Sequence, residues 1–497
     1  MVTNALGRYA LAGLGLAGIA GLLILPVNAV SKSFAIAGIV NFLFFSYYFK
    51  NIYNPASIFM SMFLFMIGCS QAKLTLIEQD SFANSTWLTL FSVILVFYAI
   101  VAAFMLRHGR ILPKEKQQNS YTISAKTIFW SNIICLSVEI IIYYYAINKI
   151  GSIPLFDDNA RANIMPHVIS NPLMTLMVIP TFFIIFNTAY TIQTKKYGYL
   201  FFSVAYLILL ILLGGRINIF IPVITSLFYT LIQYQFAKEN KKSVAITGTA
   251  ILITVAALMV TIPLVRTQIY VQQHQTTSEG QAPSSGSDYY ATIYNTVNTH
   301  TLDAHQAEEK TKQLRQNFKP TMTLPPQMMS VWINLSTEMH AFNKMVIYFD
   351  EHNDFRDGRM LLTGTFRFIS KYFMPDETLD LVKMGGYDWI NIMTFMQKPY
   401  MDFGVAGVAG FMLLFTLVGM TLYQRVQQRR TMTNMLLYSY FCMATLFMVF
   451  DNHFYYSTVV VNVLLLLLFK AYMKIDWLKS FNVSKSKKMN TDKAIDA

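Results

Sequence analysis

Gly214, Gly215 and Arg216 stand together in FFSVAYLILLILLGGRINIF (201–220), at the junction of two apolar runs. Two glycines permit a tight turn, which leaves the arginine at the N-terminal end of the next helix. A helix start offers unpaired N–H groups and a guanidinium offers a planar fork of donors, so together they make a phosphate site. The other reading is an arginine that snorkels to the interface and anchors the helix end. The helix dipole does not favour a cation there. Arg266, in TIPLVRTQIY (261–270), follows another apolar run and carries the same two readings. Arg356, Arg359, Arg367, Lys371 and Lys383 add positive charge to a long polar stretch, and Lys398 stands just before the chain becomes apolar again. Asp402, in YDWINIMTFMQKPYMDFGVAGVAG (387–410), is a carboxylate about to enter hydrocarbon. It is either a functional ionisable group or the N-cap of the next helix. His453, in FDNHFYY (450–456), is a possible acid or base. Asp157, Asp158, Arg161 and His167 share the loop 149–171, an acidic pair followed by two basic side chains.

The elements that must position these residues are apolar helices. Of 497 residues, 54% are hydrophobic and only 13% charged, against roughly 25% charged in soluble domains. Apolar runs long enough to cross a ~30 Å hydrocarbon core recur along the chain. Helices are the only open structure that satisfies the backbone there. The pattern predicts spans at about 9–25, 34–49, 56–72, 86–106, 127–148, 172–192, 197–213, 217–236, 244–264, 402–423, 433–450 and 456–473. The fold class expected is therefore an all-α polytopic membrane protein of about twelve transmembrane helices. Twenty-two Lys and Arg fall in one set of short loops and the C-terminal tail, and five in the opposite short loops. By the positive-inside rule both termini are cytoplasmic. The +13 net charge lies mostly beside these spans, so it does not point to nucleic acid. Cys69, Cys135 and Cys442 all fall in apolar runs and make neither a disulfide framework nor a metal-ligand spacing. Glu139 is almost the only charge predicted well within a span.

Four regions follow: helices 1–9 over residues 1–264, a long external loop over 265–400, helices 10–12 over 401–475, and a basic cytoplasmic tail over 476–497. Loops as long as the second of these regions are uncommon without a role. Its segment 276–287, TTSEGQAPSSGS, reads as a flexible linker. Over about 327–351, Met328, Trp332, Leu335, Met339, Phe342, Val346 and Phe349 recur at helical spacing. That stripe could lie on the membrane surface or pack against the helix bundle. Glycines 404, 407 and 410 give one small face for close helix packing. There is no P-loop, HExxH or GxSxG, so no cofactor and no metal is called for.

GGRINIF at 214–220 resembles the G-[GS]-R signature of bacterial O-antigen and oligosaccharide repeat-unit polymerases of the Wzy type. NIMTFMQKPYMDFGVAG at 391–407 resembles that family's re-entry into the membrane, through Asn391, Thr394, Tyr400, Asp402, Phe403, Gly404 and Gly407. The span number and the large external loop in the second half fit the same family. The resemblance implies an enzyme of the bacterial cytoplasmic (inner) membrane, with its site facing the periplasm or exterior. Such proteins transfer a growing glycan from undecaprenyl diphosphate onto a new lipid-linked repeat unit. Arg216, Arg266, Arg359 and Arg367 would balance the charge of the departing diphosphate, and Asp402 and His453 are available to take a proton. Gly214, Gly215, Lys398, Tyr400 and Trp389 would help hold substrate, and the long loop would act as a lid. Partners implied are the lipid-linked oligosaccharides, membrane lipids and a chain-length regulator, and no nucleic acid. Two alternatives share many of these features: a transporter or flippase of lipid-linked oligosaccharide, and a glycan ligase. A deletion strain separates them, since single-repeat products mean polymerase, unattached polymer means ligase, and internal accumulation means flippase.

Overall fold

The structure is a computed structural model that describes residues 5–25, 27–74, 80–108, 125–155, 179–212, 216–236, 241–242, 244–254, 326–361, 394–448 and 458–468, with backbone alone at 5–11, 216–218, 236 and 326–334. Among the described residues it is all-helical. The helices are α1 (Ala5–Ile24), α2 (Ala29–Tyr48), α3 (Ser61–Ser70), α4 (Asn84–His108), α5 (Ala125–Ile150), α6 (Ile179–Thr194), α7 (Tyr199–Leu212), α8 (Arg216–Phe236), α9 (Val244–Thr254), α10 (Pro326–His352), α11 (Gln397–Gln428), α12 (Met432–Phe447) and α13 (Thr458–Leu468). A helix lies in each of the twelve segments that the sequence marks as spans, and α10 lies in the long loop. Among the described residues, four helices, α2, α4, α5 and α11, are long and apolar enough to cross a membrane. Large apolar side chains stand outward on these and on shorter helices, with Leu95 72% and Phe201 73% exposed. Water does not tolerate a surface this apolar, and lipid does.

The chain divides into two compact units. Unit 1 comprises Met1–Pro113, Ala256–Gln427 and Phe441–Tyr456, and unit 2 comprises Lys114–Val255, Gln428–Tyr440 and Ser457–Ala497.

In unit 1, α2 and α3 approach backbone to backbone. A Cβ at Gly38 would stand 2.8 Å from the Ser61 carbonyl oxygen, and one at Gly68 would stand 2.8 Å from the Ala35 nitrogen. Only glycine permits that spacing, and small residues take the place of the hydrophobic effect between membrane helices. Polar side chains hold the pair: Ser31 Oγ donates to the Gly68 carbonyl at 2.7 Å. Asn41 Nδ2 donates to the Ala56 carbonyl and to Ser61 Oγ, each at 2.8 Å. Ala56–Met60 ahead of α3 is a π-helical turn, so the apolar run 56–72 is two helical forms joined end to end.

The loop helix α10 packs against α3 and α4. Asn343 Oδ1 accepts from the Ala83 N–H at 2.8 Å and from Thr86 Oγ1 at 2.7 Å. His340 Nε2 donates to the Ser70 carbonyl at 2.8 Å, and the Phe82 ring meets the imidazole edge-on. Met339, Phe342, Val346 and Phe349 of the predicted stripe are fully buried, each worth roughly 1.5–3 kcal/mol relative to exposure. Of the two readings of that stripe, packing against the bundle is the one realised.

In unit 2, α6 packs against α7 and α8, and α5 packs against α6 and α7. Asn132 on α5 and Asn187 on α6 exchange amide hydrogen bonds of 3.0 and 2.7 Å. Tyr206 OH on α7 donates to the Asn132 carbonyl at 3.1 Å. Asn462 Nδ2 on α13 donates to Thr181 Oγ1 at 2.6 Å.

Candidate functional site

The site that can be built from described residues is where the chain leaves α10 and where it re-enters as α11, both in unit 1. Past His352 the chain turns sharply. Asn353 has φ 51°, Asp357 φ 49° and Gly358 φ 90°, left-handed values that Asn, Asp and Gly tolerate best. The Asn353 N–H still reaches the Phe349 carbonyl at 2.8 Å, which closes the last turn of α10. Arg356 Nη2 pairs with Asp354 Oδ2 at 2.8 Å. A new helical turn then opens at Arg359.

The other half is the first turn of α11. Pro399 sits near its start, where a missing N–H costs nothing. The helix is interrupted at Phe403 (φ −141°, ψ 18°) and Gly404 (φ 58°, ψ −143°) before it resumes toward Gln428. Gly404 is at a conformation that other residues reach only under strain. A Cβ there would also stand 3.4 Å from the Phe355 ring. Gly407 lies over the Pro399 carbonyl so closely that a side chain would collide with it.

The two halves are clasped together. The Arg356 N–H donates to the Met401 carbonyl at 2.9 Å. Asp402 Oδ1 accepts from the Met360 N–H at 2.9 Å and Oδ2 from the Leu361 N–H at 2.8 Å. Asp402 is thus not the N-cap of its own helix, which starts at Gln397; it accepts instead from the first N–H groups of the helical turn at Arg359. Tyr400 OH donates to Asp350 Oδ1 at 3.0 Å, and its ring packs on Phe342 and Phe355. Asp402 and Tyr400 are each 1% exposed. Thr394, just ahead of α11, is also buried, and its carbonyl accepts from the Gln397 N–H at 3.0 Å.

Of the residues singled out in the sequence, this structure brings Arg359, Tyr400 and Asp402 to one place. Lys398 lies on the same first turn of α11, partly buried. Arg216 is the first residue of α8, as its sequence context implies, and its side chain lies outside the described residues. Gly214, Gly215, Arg266, Arg367, Trp389, Asn391 and His453 lie outside them as well. Two residues of the clasp had no place in the sequence-level site: Asp350, the acceptor for Tyr400, and Arg356, noted there only as loop charge. A carboxylate in the last turn of an amphipathic helix, on the face of its apolar stripe, is the signal that could have drawn attention to Asp350. Comparison with protein-family models, with curated proteins and with solved structures finds no match to this chain.

Proposed function

We propose that this chain is a membrane glycosyltransferase that polymerises oligosaccharide repeat units carried on undecaprenyl diphosphate, at the outer face of the bacterial cytoplasmic membrane. The observation that supports this most directly is the clasp. Asp402 spends both carboxylate oxygens on the backbone that follows Arg359, so a motif at the membrane entry positions a cation in the loop. Among the residues that carry the family resemblance, Asp402 caps that turn, Tyr400 ties the start of α11 to Asp350, and Gly404 leaves room for the Phe355 ring.

In the reaction, a hydroxyl of the new lipid-linked unit attacks the anomeric carbon of the growing chain. The anomeric C–O bond to the diphosphate breaks, and its electron pair leaves with the lipid diphosphate. The hydroxyl proton passes to a base. The leaving group is a stabilised anion, so guanidinium groups balance its charge without a metal. Arg359 is the cation that the clasp positions, and Arg216, Arg266 and Arg367 are the further cations that the resemblance implies. Asp402 is a positioning residue in this reading, because its oxygens already accept backbone N–H groups. His453 is then the group left to take the proton.

The test is the glycan profile of a deletion strain carrying variants. Arg216→Ala and Arg359→Ala are each expected to lower polymer output by about 10²–10³-fold, the usual cost of one charge-stabilising donor, with protein abundance in the membrane unchanged. Arg216→Lys should rescue poorly if the contact is bidentate. Normal polymer from both alanine variants would sink the assignment.

A further inference from the structure

Away from the clasp, one buried carboxyl group has no hydrogen-bond partner on either oxygen among the described residues. Glu139 lies near the middle of α5, one of the four helices long and apolar enough to cross a membrane. At ~1.5 Å per residue it is about 21 Å from the first residue of α5 and about 17 Å from the last. Its side chain is 1% exposed, and neither carboxyl oxygen has a hydrogen-bond partner. One turn further on, the buried Tyr143 hydroxyl is also unpartnered. Asn132, Cys135, Glu139, Tyr143 and Ala146 follow one another at helical spacing, and together they form the inward stripe of α5. The start of that stripe is fully satisfied, by the amide exchange with Asn187 on α6 and by the Tyr206 hydroxyl on α7.

Among the described residues, the titratable groups within electrostatic reach of Glu139 are Cys135 and Tyr143 on its own helix and Tyr206 on α7. From α6 the stripe meets Asn187, which carries no charge. No Lys, Arg or His among the described residues offsets the carboxyl. A bare carboxylate in this setting costs several kcal/mol. A divalent metal ion would need about six or more oxygen ligands, whereas the site offers a carboxyl and one phenol. A proton needs only the carboxyl.

We propose that Glu139 is a proton-binding site inside unit 2, at which the carboxyl takes up and holds one proton at mid-helix, with the unpartnered Tyr143 hydroxyl one turn further along α5. Release of that proton requires water or a base to reach the stripe, so proton exchange is tied to opening of the packing between α5 and α7. The site stands apart from the polymerase reading, and its test does not use glycan synthesis.

The experiment is infrared difference spectroscopy of the full chain in lipid nanodiscs, wild type minus Glu139→Gln. The glutamine keeps the shape of the protonated acid, so the fold is retained. A carboxylic-acid carbonyl band at neutral pH, lost in the variant and shifted in deuterium oxide, is the expected result. Carboxylate bands in its place would overturn the proposal. A second measurement uses the unaltered protein and dicyclohexylcarbodiimide. The acid proton moves to a carbodiimide nitrogen while a carboxyl oxygen bonds to the carbodiimide carbon, and rearrangement leaves an N-acylurea on Glu139. Mass spectrometry should find that adduct on the peptide bearing Glu139 at neutral pH, with its yield lost as the pH is raised. Labelling that rises with pH, or that sodium ions suppress at constant pH, would assign the site to an ionised carboxylate or a metal cation and overturn the proposal.

Discussion

Asp402 and Glu139 are both buried carboxyl groups on apolar helices, and they solve the same problem in opposite ways. Asp402 has a backbone N–H on each oxygen. Glu139 has no hydrogen-bond partner on either among the described residues. A satisfied carboxylate locks two chain segments together, and losing it leaves orphaned N–H groups. An unsatisfied carboxyl holds nothing together, and its worth to the protein must lie in what it binds. Burial alone therefore does not separate a structural acid from a chemical one; the census of partners does.

Removing each carboxyl breaks this comparison most sharply. Asp402→Ala should release the turn at 358–361 and abolish polymer, since two buried donors lose their acceptor at about 1–3 kcal/mol each. Hydrogen exchange at Met360 and Leu361 would rise by orders of magnitude, and unchanged protection there would mean that the clasp is not what holds the turn. Asp402→Asn keeps one carbonyl acceptor and should fall between.

The next effect is on pH. His340 on α10 has its imidazole pKa pushed down to about 4 by burial. The hydrogen bond to the Ser70 carbonyl and the Asp80 charge work the other way, while Lys344 and Lys73 add to the lowering. The unfolded chain takes up this proton near the ordinary histidine pKa of about 6.5, whereas the folded chain does not until about pH 4. The neutral histidine's stability contribution is thus present at neutral pH and is lost as the pH falls between these values, amounting to roughly 3 kcal/mol. Thermal unfolding in detergent should show this loss, and His340→Gln should flatten it. An unaltered acid limb in the variant would exclude His340 as the cause.

Tyr400→Phe removes only the hydroxyl that donates to Asp350 and should cost about 1 kcal/mol, with the ring packing kept. The smallest effect is expected from Glu139→Gln, which should leave unfolding temperature within a degree or two of wild type, or raise it, because no partner is lost. A large destabilisation would show that Glu139 has a structural partner after all, and would erase the contrast with Asp402.

The chain's own pattern went far toward the fold. Every apolar segment read as a span contains a helix, and the stripe read over 327–351 is α10, Pro326–His352. These follow from local rules: lipid leaves the backbone no other partner than itself, and a 3.6-residue period aligns the apolar face. The same rules placed Arg216 at a helix start. They did not reach further. The run at 56–72 carries no mark of its π-helical turn, and nothing local shows that the first turn of α11 begins at Gln397, ahead of a break at Phe403–Gly404.

Tertiary structure alone decided which partners these residues meet. Asp402 accepts from amides more than forty residues earlier, Tyr400 finds Asp350 fifty residues away, and Asn343 ties α10 to the start of α4 across some 260 residues. Whether a buried polar atom is paired depends on which distant segment closes over it, and one helix's periodicity holds no information about another's position. That is why the apolar pattern announced Glu139 as a rare charge within a span, and only the folded chain showed that no described neighbour pairs with it.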